Sequence, residues 1–390
     1  MRKITLGTLN ISDKGKEYVN DALNNNRLSS GKYVAKFEKD FANLHGVDHG
    51  IFMNSGTSAL QVALTALKEV YGYQDGDEVI VPATTFIATS NIVIQCGMKP
   101  VFVDVDPVTF NIDPELIEEA ITLRTRCIIP VHLFGLPAQM PRIVDIALRN
   151  RLQVIEDSCE TMFAGTKYQT VGSFGNLACF STYVAHLIVG GVGGLVITRD
   201  EKLASICRSL MAHGRDSIYT NIDMDDNPDL RRQMIERRYR FERVGFSYRA
   251  TEMEAAIALS ELERWEENIL TRNVNAKHLT KCLSDISWLQ CPEIPDGYSH
   301  SFMMYPMVYH RDHRDDFLMY LEENGIETRY LFPLLSQPIY RGLFPGQEYD
   351  FPEARYLGEQ GFFIGMHQGL TLDDMYYISD VIHNFDEVKA

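Results

Sequence analysis

The sequence has no run of about 18 or more consecutive apolar residues, the length at which a segment reads as a membrane span. Met1 to Asn10 also lacks the apolar stretch of a secretory signal. Basic residues are outnumbered: 37 Lys and Arg against 53 Asp and Glu leave a formal charge of -16, which argues against nucleic acid or an anionic membrane surface as the main partner. A local basic pocket for a small anion is still compatible with that balance. The seven cysteines (Cys96, Cys127, Cys159, Cys179, Cys207, Cys282, Cys291) are odd in number, scattered and free of C-x-x-C pairs. Reduced thiols in a cytoplasmic protein are expected, not a disulfide framework. Internal repeats and low-complexity tracts are missing as well. The Gly190 to Gly194 turn lacks the G-x-G-x-x-G spacing and following helix of a dinucleotide site.

What is present is enough for a large core and two domains: 390 residues, 45% of them hydrophobic. The expected division is a large domain over 1–240 and a smaller one over 241–390, with the N-terminal segment contributing to the smaller. Apolar β-rich runs alternate with amphipathic helical ones, the pattern of an α/β sheet with crossover helices. Asn54-Ser55-Gly56-Thr57-Ser58 is a small-residue turn that enters a helix at Ala59 to Leu64. Glu78 to Val81 and Val101 to Asp104 read as strands, with Pro100 in a turn before the second. Cys127 to Val131, Leu152 to Asp157 and Leu195 to Thr198 read as three more. Asn221 to Arg243 changes character, from Asp/Asn-rich to a group of six arginines (Arg231, Arg232, Arg237, Arg238, Arg240, Arg243), and predicts a loop at the domain boundary. Thr251 to Ile269 predicts one long amphipathic helix capped by Thr251. Phe317, Leu318 and Leu321 mark another, which Asn324-Gly325 ends.

Ser55-Gly56-Thr57 offers backbone N–H groups and hydroxyls at a helix start, a cradle suited to phosphate, although the same turn serves as an ordinary helix start. Asp157 ends an apolar strand, where open α/β sheets take their ligands. A carboxylate there can pair with a protonated ring nitrogen or cap the next helix. His310 and His313 with Asp312, Asp315 and Asp316 have ligand-like spacing, but no further Cys or His supports a metal, and a solvated turn is expected. The arginines between Arg231 and Arg249 fit a nucleotide diphosphate or a solvated helix face equally well. His213, before Gly214-Arg215, either serves the site or satisfies a buried carbonyl.

The segments Ser30 to Glu38, Asn54 to Leu60, Pro82 to Phe86 and Glu156 to Glu160 occur in one order, followed by Gly245 to Arg249 leading to Glu252 and by Gly325 to Arg329. Together they resemble the DegT/DnrJ-type family of sugar aminotransferases, a branch of the fold-type I pyridoxal-phosphate enzymes. The match runs over nearly the whole chain. It implies a fold-type I aminotransferase-like α/β architecture: a large cofactor-binding domain with a mostly parallel central sheet and a smaller α+β C-terminal domain. By the same resemblance Gly56, Thr57 and Ser181 bind the cofactor phosphate, Phe86 stacks on the ring and Asp157 holds its nitrogen. Glu160 stands near the ring hydroxyl, where many aminotransferases carry Gln. Ser247 takes the place of an Asn that reaches the phosphate from the neighbouring subunit, while His213, Arg249 and Arg329 are assigned to the substrate. A homodimer with shared active sites is implied.

The family's Schiff-base lysine falls five residues after the phosphate-binding serine, and here that place is His186. An imidazole moves protons but cannot hold a cofactor aldehyde as an imine. One branch shares the exchange: the nucleotide-sugar 3-dehydratases of 3,6-dideoxyhexose pathways, which bind pyridoxamine phosphate noncovalently and use His as acid/base. The resemblance thus implies an enzyme using pyridoxamine or pyridoxal 5'-phosphate, noncovalently bound, that 3-dehydrates a nucleotide-linked 4-keto-6-deoxy sugar. Glutamate is the expected amino donor. Only Cys207, Cys282 and Cys291 follow His186, too few for the four thiolates of an iron–sulfur cluster, so none is expected. Two other readings stay open: a sugar aminotransferase with His186 as proton shuttle, and a noncatalytic cofactor-binding relative. Leu331 to Tyr340 resembles the aminotransferase side of the family, whereas Phe362 to Gly365 with Gly369-Leu370-Thr371 resembles the dehydratase side. Val192 stands where the family usually has an acid.

Overall fold

The computed structural model describes residues 2–216, 232, 235–237 and 239–389. Seven strands form the larger of two sheets: β1 (His49–Met53), β2 (Glu78–Pro82), β3 (Lys99–Val103), β4 (Thr125–Ile128), β5 (Gln153–Asp157), β6 (Leu177–Ser181) and β7 (Gly194–Thr198). Their spatial order is β3-β2-β4-β5-β6-β7-β1. Strands β2 to β6 pair in parallel, and β7 runs antiparallel to both of its neighbours. That reversal returns β1 to the common direction, so every strand but β7 points its C-terminal end to one edge. Ligands of open α/β sheets gather at such an edge.

β2, β6 and β7 are buried along their whole length, which is why they read as apolar runs rather than alternating ones. Helices α1 (Asp13–Asn24), α2 (Lys32–Leu44), α3 (Gly56–Tyr71), α4 (Ile87–Gln95), α5 (Pro114–Ala120), α6 (Met140–Asn150) and α7 (Glu201–Met211) surround this sheet. α3 packs on β6 with α4 and α7 beside it, and it therefore buries more than a single apolar stripe, from Ala59 through Leu67. α2 begins at Gly31 without a side-chain cap of its own. Its first N–H groups are instead taken by the remote, buried carboxylate of Glu252, which accepts from Gly31 (2.8 Å), Tyr33 (2.9 Å) and Val34 (3.0 Å).

The second sheet is antiparallel, in the order β10-β11-β9-β8, from β8 (Leu289–Gln290), β9 (Met304–Tyr309), β10 (Thr328–Tyr330) and β11 (Gly361–Gly365). It carries its own core around Trp288, Phe317 and Phe362. Of the remaining helices, α8 (Glu252–Leu262), which packs on α1 and α2, and α11 (Pro338–Leu343) and α12 (Pro352–Gln360) add buried residues to the core of the larger sheet, whereas α9 (Trp265–Cys282), α10 (Arg314–Glu323) and α13 (Leu372–Lys389) complete the half around the second sheet. The N-terminal segment joins it: Ile4 bridges in parallel to Ile326 and belongs to the same core.

Three local expectations change. The single helix over Thr251 to Ile269 is two: Thr251 caps α8 in a capping box with Glu254, but the chain breaks at Glu263-Arg264. Tertiary contacts set that break, since Glu263 pairs with Lys14 (2.6 Å) and Trp265 stacks on Phe163 (4.4 Å between centroids). Pro100 lies inside β3 and not in a turn before it; β3 is an edge strand, where a missing N–H is tolerated. β4 ends at Ile128, short of the Val131 expected. The loop expected over 221–243 lies mostly outside the described residues, Arg231 and Arg238 among them.

Candidate active site

At the common edge, β1 ends at Met53 and the chain enters α3 through Ser55. Ser55 Oγ accepts the N–H of Ser58 (3.1 Å), while the first-turn N–H groups of Gly56 and Thr57 have no intrahelical acceptor. A Cβ added to Gly56 would stand 2.8 Å from Cys159 Sγ and 2.9 Å from Ser181 Cβ. Glycine is thus what lets the start of α3, the loop after β5 and the end of β6 converge. Gly194 does the same for β7, since a Cβ there would lie 2.4 Å from the Ser55 carbonyl. Ser181 is buried, and its Oγ accepts the N–H of Tyr183 (3.3 Å); Thr57 is exposed one residue into the helix.

Asp157 closes β5 and is buried. Thr89 Oγ1 donates to its Oδ2 (2.7 Å) and the Cys159 N–H to its Oδ1 (3.2 Å). Burial raises its pKa, opposed by these two donors. Thr89 lies on α4, one turn beyond Phe86, so the helix that orients Asp157 also presents Phe86. The Phe86 ring is 56% exposed and sits 6.0 Å from that of Phe332, itself stacked on Phe134 at 5.3 Å. Glu160, three residues after Asp157, is buried, and its Oε2 accepts the Phe134 N–H (3.0 Å). Burial pushes its pKa up to about 8, with the Phe134 N–H pulling down and Asp157 adding to the rise.

His186 lies on the connection from β6 to β7. Its N–H donates to the Tyr183 carbonyl (2.9 Å), and the following Leu187, Ile188 and Val189 are buried, which anchors the half-buried imidazole. Nδ1 is shielded from solvent and has no hydrogen-bond partner among the described residues. Burial lowers the ring's pKa to about 4; the Tyr183 carbonyl opposes this and the Arg272 guanidinium reinforces it. At neutral pH the imidazole is therefore uncharged. The N-terminal segment crosses this loop: a Cβ on Gly7 would come within 3.0 Å of Ala185 Cα, Leu6 N–H donates to Glu327 (3.1 Å) and Thr5 Oγ1 bonds to His367 (3.2 Å).

The other sequence-predicted residues share no hydrogen bond with this group among the described residues. His213, Ser247 and Arg249 form their own cluster beside Met53 and Asn54, with Arg249 Nη2 at 3.3 Å from His213 Nε2 and 3.5 Å from Ser247 Oγ; Ser247 and Arg249 are exposed. Among the described residues the His213 ring has the Arg249 guanidinium as its hydrogen-bond neighbour and no carbonyl. Arg329 is on β10, exposed and paired with Glu327 (2.6 Å), the same acid that holds Leu6. The described arginines of the basic group face acids: Arg237 and Arg240 meet Asp216 (2.7 and 3.6 Å), and Arg243 meets Glu69 (3.0 Å). His310 bonds to Tyr356 (2.8 Å), and among the described residues no group of three His, Cys, Asp or Glu side chains is arranged to hold a metal ion. A cavity of about 540 Å³ lined by Arg314, Pro333, Arg341 and Tyr349 shares no residue with the Asp157 and His186 group.

Sequence reasoning missed Thr89, Cys159 as the neighbour of Gly56, the Thr5 to Gly7 segment and Arg272. Thr89 had a signal, four residues after Thr85 in the helix behind Phe86. Arg272 had none: it is a buried cation on α9 whose partners, the carbonyls of Phe302, Met303 and Met366 and the amide of Gln368, come from distant segments.

The profile of the DegT/DnrJ/EryC1/StrS aminotransferase family matches residues 10–383. The chain belongs to this family. Its DegT-family relatives include the GDP-perosamine synthase of Caulobacter vibrioides, 36% identical over 99% of this chain and 98% of that protein. Among solved structures, the GDP-4-keto-6-deoxy-D-mannose-3-dehydratase of E. coli with bound hydrated PLP is 26% identical, with a TM-score of 0.86 over 98% of this chain and 99% of that one. A GDP-4-keto-6-deoxymannose-3-dehydratase with a trapped PLP-glutamate geminal diamine is also 26% identical, with a TM-score of 0.85 over 97% of this chain and all of that one. The DegT family is pyridoxal-phosphate dependent, and the residues at the sheet edge suit such a group. The α3 start with Ser181 is an anion cradle that a Cβ on Gly56 would fill, Asp157 is a hydrogen-bonded acid, Phe86 is a bare aromatic face, and His186 Nδ1 is an unpaired nitrogen.

Proposed function

We propose that this DegT-family protein is a nucleotide-sugar 3-dehydratase in which His186 is the acid/base. The observation that carries the reading is an uncharged, unpaired imidazole at the position of the Schiff-base lysine, on a Ser181 to Gly194 segment that contains no lysine. Gly56, Thr57 and Ser181 would hold the cofactor phosphate, Asp157 the ring nitrogen and Phe86 the ring face; binding is noncovalent. The bound pyridoxamine form supplies the amine and the electron-withdrawing ring. The protein's part is proton management. Nδ1 of His186, neutral at pH 7, would accept the proton given up by the methylene carbon of the bound amine form and deliver it to the departing C3 hydroxyl, which would leave as water. Without a lysine there is no side chain to expel the product, which is released to hydrolyse. Glutamate would be the amino donor that restores the bound amine, in a reaction that needs no iron–sulfur cluster. Likeness to two dehydratase structures over nearly the full chain supports this reading.

Amino transfer is the second reading, favoured by the 36% identity to a GDP-perosamine synthase. The two separate on products: incubation with pyridoxamine phosphate, glutamate and GDP-4-keto-6-deoxymannose gives a 3-deoxy sugar under the first and an amino sugar under the second.

The working unit would be a homodimer that completes each site. Ser247 and Arg249 lie exposed beside α3, with Val244 at 94% and Phe241 at 49% exposure alongside, a surface that a second copy would cover. His213, Arg249 and Arg329 would then meet the sugar nucleotide. Sedimentation of a dimer, and its loss on Val244→Asp, would support this arrangement; a monomer that retains full activity would contradict it.

A further inference from the structure

Two buried acids, Asp157 at the end of β5 and Glu160 three residues later, have different surroundings. Asp157 accepts two hydrogen bonds, from Thr89 Oγ1 and the Cys159 N–H. Glu160 accepts one, from the Phe134 N–H, and no cationic side chain among the described residues pairs with it. On β5, Glu156 accepts hydrogen bonds from the His132 ring (3.1 Å), whose Nδ1 itself accepts the Ala138 N–H, and from three backbone N–H groups. On the 300–303 segment, His300 is kept uncharged by burial, with a pKa near 3, and its Nδ1 accepts the Phe302 N–H (2.8 Å). Behind that segment Arg272 is turned to carbonyls. Two buried carboxylates without a cation cannot both stay charged at modest cost, and the one with fewer donors is the one that keeps its proton.

We propose that Asp157 and Glu160 divide the ionisation between them: Asp157 carries the charge, and Glu160 is a neutral carboxylic acid at pH 7 that offers its O–H to an acceptor atom of the bound ring. The naming of that acceptor, the ring hydroxyl oxygen, rests on the reading of the pocket as a pyridoxal-type site; the proton assignment does not. A neutral acid can do what a Gln amide does, donate, while Asp157 remains the only negative charge facing a protonated ring nitrogen. Glu160 is then a positioning residue for the ring, and raising the pH above about 8 would place a second charge beside Asp157.

The test is infrared difference spectroscopy on the full-length protein without added cofactor. At pH 7 the protein should show a C=O band of a protonated carboxylic acid that vanishes in E160Q, persists in D157N and titrates away near pH 8. A band that survives in E160Q but disappears in D157N would reverse the assignment, and no such band at pH 7 would overturn it. Thermal midpoints give a second readout. Because the folded pKa exceeds the unfolded value of 4.5, the stabilisation by this proton is complete below pH 4.5 and is lost as pH rises through about 8. The midpoint of E160Q should therefore gain on the natural protein over that window; a gap that does not change with pH would contradict the proposal. Should E160Q fail to fold, the titration of the band in the natural protein and in D157N decides alone. Pyridoxal phosphate is added afterwards: failure to bind would sink the functional reading while leaving the proton assignment standing.

Discussion

At residue scale the account turns on one nitrogen. His186 Nδ1 has no hydrogen-bond partner among the described residues, and its ring is held neutral by burial first, reinforced by Arg272. Replacement by Asn keeps the size and removes the proton function, so H186N should bind pyridoxal phosphate as the natural protein does yet lose about 10²- to 10⁴-fold in turnover, the usual worth of a general acid/base. H186K should gain a borohydride-reducible cofactor adduct, measurable by mass spectrometry, which the natural protein should not form. With the imidazole pKa near 4, the acid limb of the rate profile should fall below about pH 5, not near the ordinary histidine value of 6.5. A midpoint at 6 or above would show that the group is not shielded in the working enzyme.

At the scale of elements, the site is built where the start of α3, the end of β6 and the loop after β5 touch through a glycine. Gly56→Ala inserts a Cβ within 3 Å of Cys159 Sγ and Ser181 Cβ. It should cost about 1–3 kcal/mol in stability, read from urea unfolding, and weaken cofactor binding more than tenfold, read by absorbance titration. Thr89→Val removes a donor to Asp157 without changing shape and should weaken binding less, by about tenfold or under. Much of this was legible in sequence: the small-residue turn at Asn54 to Ser58 and the acid ending an apolar strand at Asp157 are local patterns, whereas the place of His186 followed from the resemblance to the family. The parts that were not legible come from contacts between remote segments. The break between α8 and α9 is fixed by Lys14 and Phe163, both far away in the chain, and the α2 start is capped by Glu252 more than 200 residues later. Periodicity also continued through Glu263 because the helix resumes at Trp265, so the sequence pattern had no stop signal to show.

For the whole molecule, the pH dependence of stability follows from several buried groups together. His45, His186 and His367 have pKa values lowered to about 4 and His300 to about 3, each mainly by burial. Their folded values lie below the unfolded 6.5, so the stability they permit is full above pH 6.5 and is lost as pH falls toward 4. Thermal midpoints should therefore drop steadily from pH 6.5 to 4, before most surface carboxylates titrate; a flat profile over that interval would mean that these rings are hydrated in solution. The proposed anionic ligand is compatible with a -16 chain, because the α3 start offers backbone N–H groups and hydroxyls, which do not enter the charge count. All of these properties serve one claim, that a neutral imidazole replaces the lysine of a DegT-family site and redirects its chemistry from amino transfer to loss of water. The direct measurement is product analysis by mass spectrometry and NMR after incubation with pyridoxamine phosphate, glutamate and GDP-4-keto-6-deoxymannose. A 3-deoxy sugar formed by the natural protein and not by H186N is the predicted result; an amino sugar with its C3 hydroxyl intact would contradict the account.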